Sequence, residues 1–394
     1  MQDLELHDGN KFWRARIDGD ALLVCTGKLG TEGREKPVKP TSAEGKRGNL
    51  QAELRNRAWK QLRKGFRYDA ADAGAPLRWV IAAPDYMAIG DRGLSVAPSG
   101  AFAVFEQHSS GNGSRVHRVA LDTGTLDTVW DGKSFLLRGV WALDDEAVLF
   151  TPTKGPGWET RLLSLQDGSS TSLAAGDHTM LGTILGADHS GRRVLVATGT
   201  MEYAVLDRGS GEELLHGAVP PTQHSQGRQF ALSPDGTKLV VAAPPADGAP
   251  EGTVSTLTVF EVDGGGQQQL QTQHDTPFDA LAWVGDDAFV ALERFQPPQL
   301  WHVSPELVPG PSLRDVVPSN LRPMSLAGSP NGRYLAVYDG AGRLLVVDAE
   351  TLTEAFSGHH ALFGIRGTVE FGPGGVVLTT GGAMIGRWDT GLET

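Results

Sequence analysis

At 394 residues, 40% hydrophobic and 21% charged, the chain can bury a sizeable core, and its 51 glycines and 23 prolines favour many tight turns over a helical fold. A single cysteine excludes an internal disulfide, and no run approaches the roughly 18 apolar residues that a membrane-spanning helix needs. The net charge of −12 is unevenly split: residues 1–70 hold 15 basic and 10 acidic residues (+5) and the remainder 20 and 37 (−17), so the first part is expected to meet an anionic partner.

Met1 to Asp8 carries three acids and no apolar stretch, unlike a signal peptide, so the expected location is the cytoplasm. Lys11 to Ile17 alternates, with Phe12, Arg14 and Arg16 on one side and Trp13, Ala15 and Ile17 on the other, which predicts a strand. Asp18-Gly19-Asp20 is a hairpin turn and Ala21 to Thr26 the return strand, broken by Gly27, Gly30 and Gly33. Cys25, in this apolar run, reads as a buried core thiol. A third strand is expected from about Glu35 to Pro40. A helix follows from about Gly48 to Lys64, with Leu50, Leu54, Ala58 and Leu62 as its buried stripe. Lys60 and Arg63 fall on its opposite face, Arg57 and Lys64 flank them, and Gly65 ends it.

Gly27-Lys28-Leu29-Gly30-Thr31-Glu32-Gly33, the basic helix, and Arg63-Lys64-Gly65-Phe66-Arg67 together resemble a WGR domain over about residues 5–68. The resemblance implies a small antiparallel sheet crossed by a helix, and nucleic-acid binding, with DNA as the expected form. The name-giving Trp-Gly-Arg triplet is Thr26-Gly27-Lys28 here: Gly27 matches, Lys28 keeps the charge without the planar fork, and Thr26 has no aromatic face. The expected nucleic-acid contacts are Lys28, Arg57, Lys60, Arg63 and Lys64.

Beyond residue 70 the sequence repeats. A short apolar strand, a polar turn with Gly or Asp, and a second apolar strand occur seven times, from Leu94-Ser-Val-Ala-Pro-Ser-Gly100 to Val369-Glu-Phe-Gly-Pro-Gly-Gly375. The turn residues Gly100, Asp145, Gly191, Gly236, Asp286, Gly332 and Gly375 are 45, 46, 45, 50, 46 and 43 apart. Most copies continue into a third strand, such as Leu257 to Phe260 or Arg343 to Val347, and a turn toward a fourth, such as Asp122 to Gly124 or Asp348 to Glu350. Four antiparallel strands per unit of this length describe a propeller blade. The last copy resembles a WD repeat, with Gly358-His359 before its strands and Trp388-Asp389 ending the third.

After Trp388-Asp389-Thr390 too few residues remain for a fourth strand, so Leu77 to Ala82 is expected to complete the last blade and close the ring. The expected fold is therefore mainly β: a small α+β WGR-like domain over residues 1–70 and a seven-bladed β-propeller over 71–394.

No HExxH, CxxC pair, GxSxG or GxxxxGK[ST] motif occurs. Gly132-Lys133-Ser134 ends like a phosphate loop, but position 127 is Asp where Gly is required. His359-His360 reads as a structural loop contact, and Asp144-Asp145-Glu146 and Asp286-Asp287 as solvated turns, each before a metal site. No cofactor, metal or catalytic residue is expected, and no membrane contact. The leading expectation is a non-catalytic protein whose first domain binds nucleic acid and whose propeller docks a protein. The alternatives are a pure protein-interaction scaffold and a propeller hydrolase or lyase, since propeller active sites are built from scattered loop residues.

Overall fold

A computed structural model describes residues 4–70, 74–83, 93–109, 113–132, 136–154, 157–176, 185–198, 202–219, 230–243, 255–263, 269–274, 278–293, 296–303, 306–340, 342–360, 362–363 and 367–394. Lys133 and Ser134 lie outside these.

The first module is an antiparallel sheet of β1 (Leu4–His7), β2 (Lys11–Asp18), β3 (Ala21–Lys28) and β4 (Arg34–Val38), in that order. The Gly19-Asp20 turn sets Asp18 opposite Ala21, and the register runs on without a bulge to Lys11 opposite Lys28. Trp13, Ala15, Leu22 and Val24 thereby share one face, against which α2 (Leu50–Leu62) lays Leu54, Ala58 and Leu62. A short α1 (Ala43–Lys46) precedes it.

Three sequence expectations shift. The return strand does not break at Gly27 but runs through it to Lys28, because loop 29–33 folds back over the other face, where Phe12 and Cys25 pack. Gly33 has φ +73°, and a Cβ there would lie 2.5 Å from the Phe12 ring, so the motif glycines make room for that ring. The strand after it is Arg34–Val38, and the helix begins at Leu50, where the Asn49 side chain caps it by accepting from Ala52 N at 3.0 Å. Cys25 is buried, as expected.

Glu53, fully buried on α2, latches the loop before α1. Its carboxylate accepts from Thr41 N and Oγ1 (both 3.0 Å), Ser42 N (2.8 Å) and Arg57 Nε (2.7 Å). Burial alone would raise its pKa, but the bonds from Ser42, Thr41 and Arg57 outweigh it and bring the pKa to about 2. The stabilisation is therefore complete above pH ~4.5 and is lost as pH falls toward about 2. Glu53→Ala takes the acceptor from the Thr41 and Ser42 backbone N–H groups and the ion-pair partner from the partly buried Arg57, and is expected to cost about 1–3 kcal/mol in chemical denaturation. Glu53→Gln, which keeps the shape and one acceptor, should cost clearly less; equal costs would mean that packing, not the carboxylate, holds the loop.

Among the described residues seven further sheets follow, six of four strands and the last of five. Their innermost strands touch in chain order, and that of blade seven (Val369–Phe371) touches that of blade one (Leu94–Val96), so the ring is closed. The Gly/Asp turns after these strands join blade to blade on one rim. Asp145 accepts from Ser99, Arg208 Nη1 donates to Asp144 Oδ2 (2.6 Å), His189 N to Pro234 O (2.9 Å), and Asp235 N to Asp286 Oδ1 (3.1 Å). The acidic turns are thus interblade joints. The periodic spacing of these residues in the sequence reflects this shared duty.

Blade seven runs Val369–Phe371, Val376–Gly381, Met384–Asp389, then β6 (Leu77–Ala82) and, outside it, β5 (Tyr68–Asp69). Ile385 faces Ile81 and Arg387 faces Trp79 across the closing pair. Trp388 Nε1 donates to Thr379 Oγ1 at 2.8 Å, and a Cβ on Gly358 would meet that indole at 2.6 Å. Gly358 is thus not in a loop but in the outer strand of blade six (Thr353–His359), where it gives Trp388 room.

The two parts are not separate bodies. β5 belongs to a propeller sheet, Arg67 bridges to His7 of β1, and Arg55 Nη1 donates to Phe363 O at 3.4 Å. One apolar cluster runs from Leu6, Trp13, Ala58 and Leu62 through Leu77 and Val80 to Tyr338, Phe363 and Trp388. His360 sits in this junction, with its ring 5.1 Å from that of Tyr68, and its Nδ1 accepts from Leu362 N at 3.2 Å. Burial, with a smaller contribution from His359, pushes its pKa down to about 4. Since the unfolded chain takes up that proton first, stability should fall as pH drops from about 6.5 toward 4, by about 2 kcal/mol between pH 7 and 5. Urea titrations at the two pH values should show that drop, and His360→Phe should remove it; an unchanged drop would place the acid sensitivity elsewhere.

Candidate functional site

Four of the eight arginines of residues 1–70 are matched to carboxylates. Arg14 pairs with Glu5, Arg16 with Glu35 and Asp18, Arg57 with Glu53, and Arg67 with Asp69. Such neutralised pairs add little positive potential. Lys28, Lys60 and Lys64 are exposed, and among the described residues no carboxylate lies within ion-pair distance of them. Arg63 is exposed too, with its guanidinium 5.4 Å from the centre of the Trp59 ring.

The structure brings Lys60, Arg63 and Lys64 together at the C-terminal end of α2. It does not place Arg57 with them. That guanidinium turns inward, donating to Glu53 and, through Nη2, to Lys39 O at 2.8 Å. Lys28 stands on a different element, at the end of β3, on the face that carries α2. Its cross-strand partner is Lys11, a residue absent from the expected contact set. The signal was present: a hairpin turning at Gly19-Asp20 pairs residues whose numbers sum to 39, which sets Lys11 against Lys28. Two exposed lysines directly opposite repel each other, and a bound anion would relieve that repulsion.

The second feature is the centre of the ring. Its channel holds a cavity of about 360 Å³, walled by the innermost strands and rimmed by Pro98, Pro234, Pro330 and Pro373 of the joining turns. Among the described residues there is no group of three or more His, Cys, Asp or Glu side chains able to hold a metal ion. His359 is exposed and His360 is enclosed in the junction. No described helix is long and apolar enough to cross a membrane.

Neither a protein-family model nor a curated protein matches the chain, so the WGR resemblance rests on its motif residues alone. Among solved structures, the β-propeller domain of Myceliophteria thermophila Cps50 (Swd1) is similar, with a TM-score of 0.55 and 13% identity over 79% of this chain and 98% of that one. At that identity the likeness shows the fold, a β-propeller, and nothing of the partners.

Proposed function

We propose that the chain is a non-catalytic binding protein in which residues 1–70, a WGR-like module, hold a nucleic-acid backbone, with DNA as the expected form, and residues 71–394 dock a protein on the propeller. The observation that carries the first half is the distribution of charge. Residues 1–70 carry a positive excess, and Lys28, Lys60, Arg63 and Lys64, with Lys11 beside Lys28, are among its exposed cations, as are Arg34, Lys36, Lys39, Lys46 and Arg47, while the acidic excess lies in the ring. Contacts of this kind are to phosphate and carry little sequence preference. Thr26, exposed on β3, offers no ring to stack on a duplex end. Arg57 acts in this reading through the latch that shapes the helix rather than as a contact.

The second half is supported by a closed ring that leaves few free edges and presents broad rims of turns. A gel shift of the full chain with a short duplex tests the first half. Binding that is lost in the Lys28→Ala/Lys60→Ala/Lys64→Ala variant supports it. No shift in the wild type leaves the pure protein scaffold as the better reading.

A further inference from the structure

The outermost strand of each blade leaves one backbone edge open, and six of the seven edges are blunted. Where the third strand pairs with the fourth, the register slips by one residue in blades one, two, three, five, six and seven, which bends the outer strand and spoils its edge for further pairing. Several carry a second safeguard: Asp127 and Asp131 in blade one, Pro309 and Pro311 in blade five, Glu354 in blade six, and β5 laid beside β6 in blade seven. Blade four has neither. Its fourth strand, Gln269–His274, pairs with Ser255–Glu261 from Ser255 opposite His274 to Phe260 opposite Gln269 without a slip. It holds no Pro, Gly, Asp, Glu, Lys or Arg. Among the described residues no strand lies beyond it. A straight, neutral strand with an open row of N–H and C=O groups is a template for one more strand.

The order of its residues says which strand fits. Alternation places Gln269, Gln271 and Gln273 on one face of the strand and Leu270, Thr272 and His274 on the other. When two copies of one strand pair antiparallel about a two-fold axis normal to the sheet, each face stays on its own side, so each residue meets one of the same face. A register centred on Gln271 then sets Gln271 against Gln271, Gln269 against Gln273 and Leu270 against Thr272, with no charge among these pairs. Glutamine opposite glutamine adds side-chain amide bonds to those of the backbone. A register centred on Thr272 would instead set Leu270 against His274. A strand of unrelated sequence offers no such matching, and a charged one would find no counter-charge here.

We propose that the outer edge of blade four is a homodimer interface, in which the Gln269–His274 strands of two copies pair antiparallel about Gln271 and join two four-stranded sheets into one. The pairing consumes the edge on both copies, so the assembly closes at two. The strand has six residues, so the contact is small and the dimer is weak and concentration-dependent. The interface depends neither on nucleic-acid binding nor on a docked protein.

Sedimentation velocity of the full chain across a concentration series tests this. The wild type is expected to pass from monomer to dimer as concentration rises, and to go no further. Gln271→Lys and Gln271→Glu, each of which sets two like charges opposite one another, are expected to weaken the dimer about fivefold or more. Mixing the two variants sets Lys against Glu and is expected to restore it. A wild type that stays monomeric overturns the proposal and leaves the edge to another protein's strand, and growth beyond two overturns it as well. So does a dimer indifferent to both substitutions, or one that the mixture does not restore, since another surface or register would then hold it. Should either variant fail to fold, amide hydrogen exchange of the wild type decides: the Gln269–His274 amides must gain protection as concentration rises, and equal exchange at low and high concentration overturns the proposal.

Discussion

Removing residues 1–83 is expected to abolish cooperative folding of the propeller, and removing residues 1–70 to weaken it while the ring still closes. The larger deletion takes β6, whose Leu77, Trp79, Val80 and Ile81 are all buried. At about 1.5–3 kcal/mol for each large apolar side chain, their burial is on the order of 6–12 kcal/mol, comparable with the whole stability of an ordinary domain. It also takes the anchor to blade one, where Trp79 Nε1 donates to Leu121 O at 3.0 Å, and leaves the Met384–Asp389 strand as an open edge. The smaller deletion keeps β6 but removes β5 and uncovers the part of the shared core where Leu54, Ala58 and Leu62 meet Leu77, Val80 and Phe363. A loss of a few kcal/mol follows from that exposed area. Thermal and urea unfolding of both truncations checks this. Equal stability of the two would remove β6 as the closing strand, and a 1–70 deletion as stable as the full chain would contradict the shared core.

The ring was legible in the sequence because each blade repeats one local event, an apolar strand, a Gly or Asp turn and a second strand, and because the same turns also join neighbouring blades. The closing strand was legible for a related reason. The last copy lacks a fourth strand, and Leu77-Arg-Trp-Val-Ile-Ala82 is an apolar stretch without a copy of its own. What escaped depends on contacts between distant segments. Four-residue β1 alternates Leu-Glu-Leu-His, too short a pattern to stand out. Glu53 and Arg57, spaced as an ordinary surface pair on a helix, gain their meaning only from loop 41–42 folding over them. Leu6, Leu62 and Leu77 read as apolar from sequence, but periodicity cannot say that they share one core with Trp388. The same limit hid the environments of His360 and Lys11: burial and cross-strand pairing are properties of the assembled sheet.

Binding of a short duplex to the full chain is expected to fall steeply with salt. If Lys28, Lys60, Arg63 and Lys64 each neutralise one phosphate, the slope of log affinity against log salt is about −3.6, which amounts to a loss of roughly a hundredfold between 50 and 200 mM salt. The matched arginines contribute little, since each already has its counter-charge in the fold. The acidic propeller, held rigidly beside the module, works against phosphate at long range, so binding should be weak in absolute terms and strongest at low salt. The full chain is the proper object for the test, because the module's core continues into blades six and seven. The decisive measurement is the fluorescence anisotropy of a labelled duplex titrated with the chain across a salt series, with the wild type beside Lys28→Ala/Lys60→Ala/Lys64→Ala. The expected result is a wild-type slope near −3.6 that shrinks by about 2.7 in the variant, with affinity largely lost; no binding at the lowest salt, or a slope unchanged by the three substitutions, would contradict it.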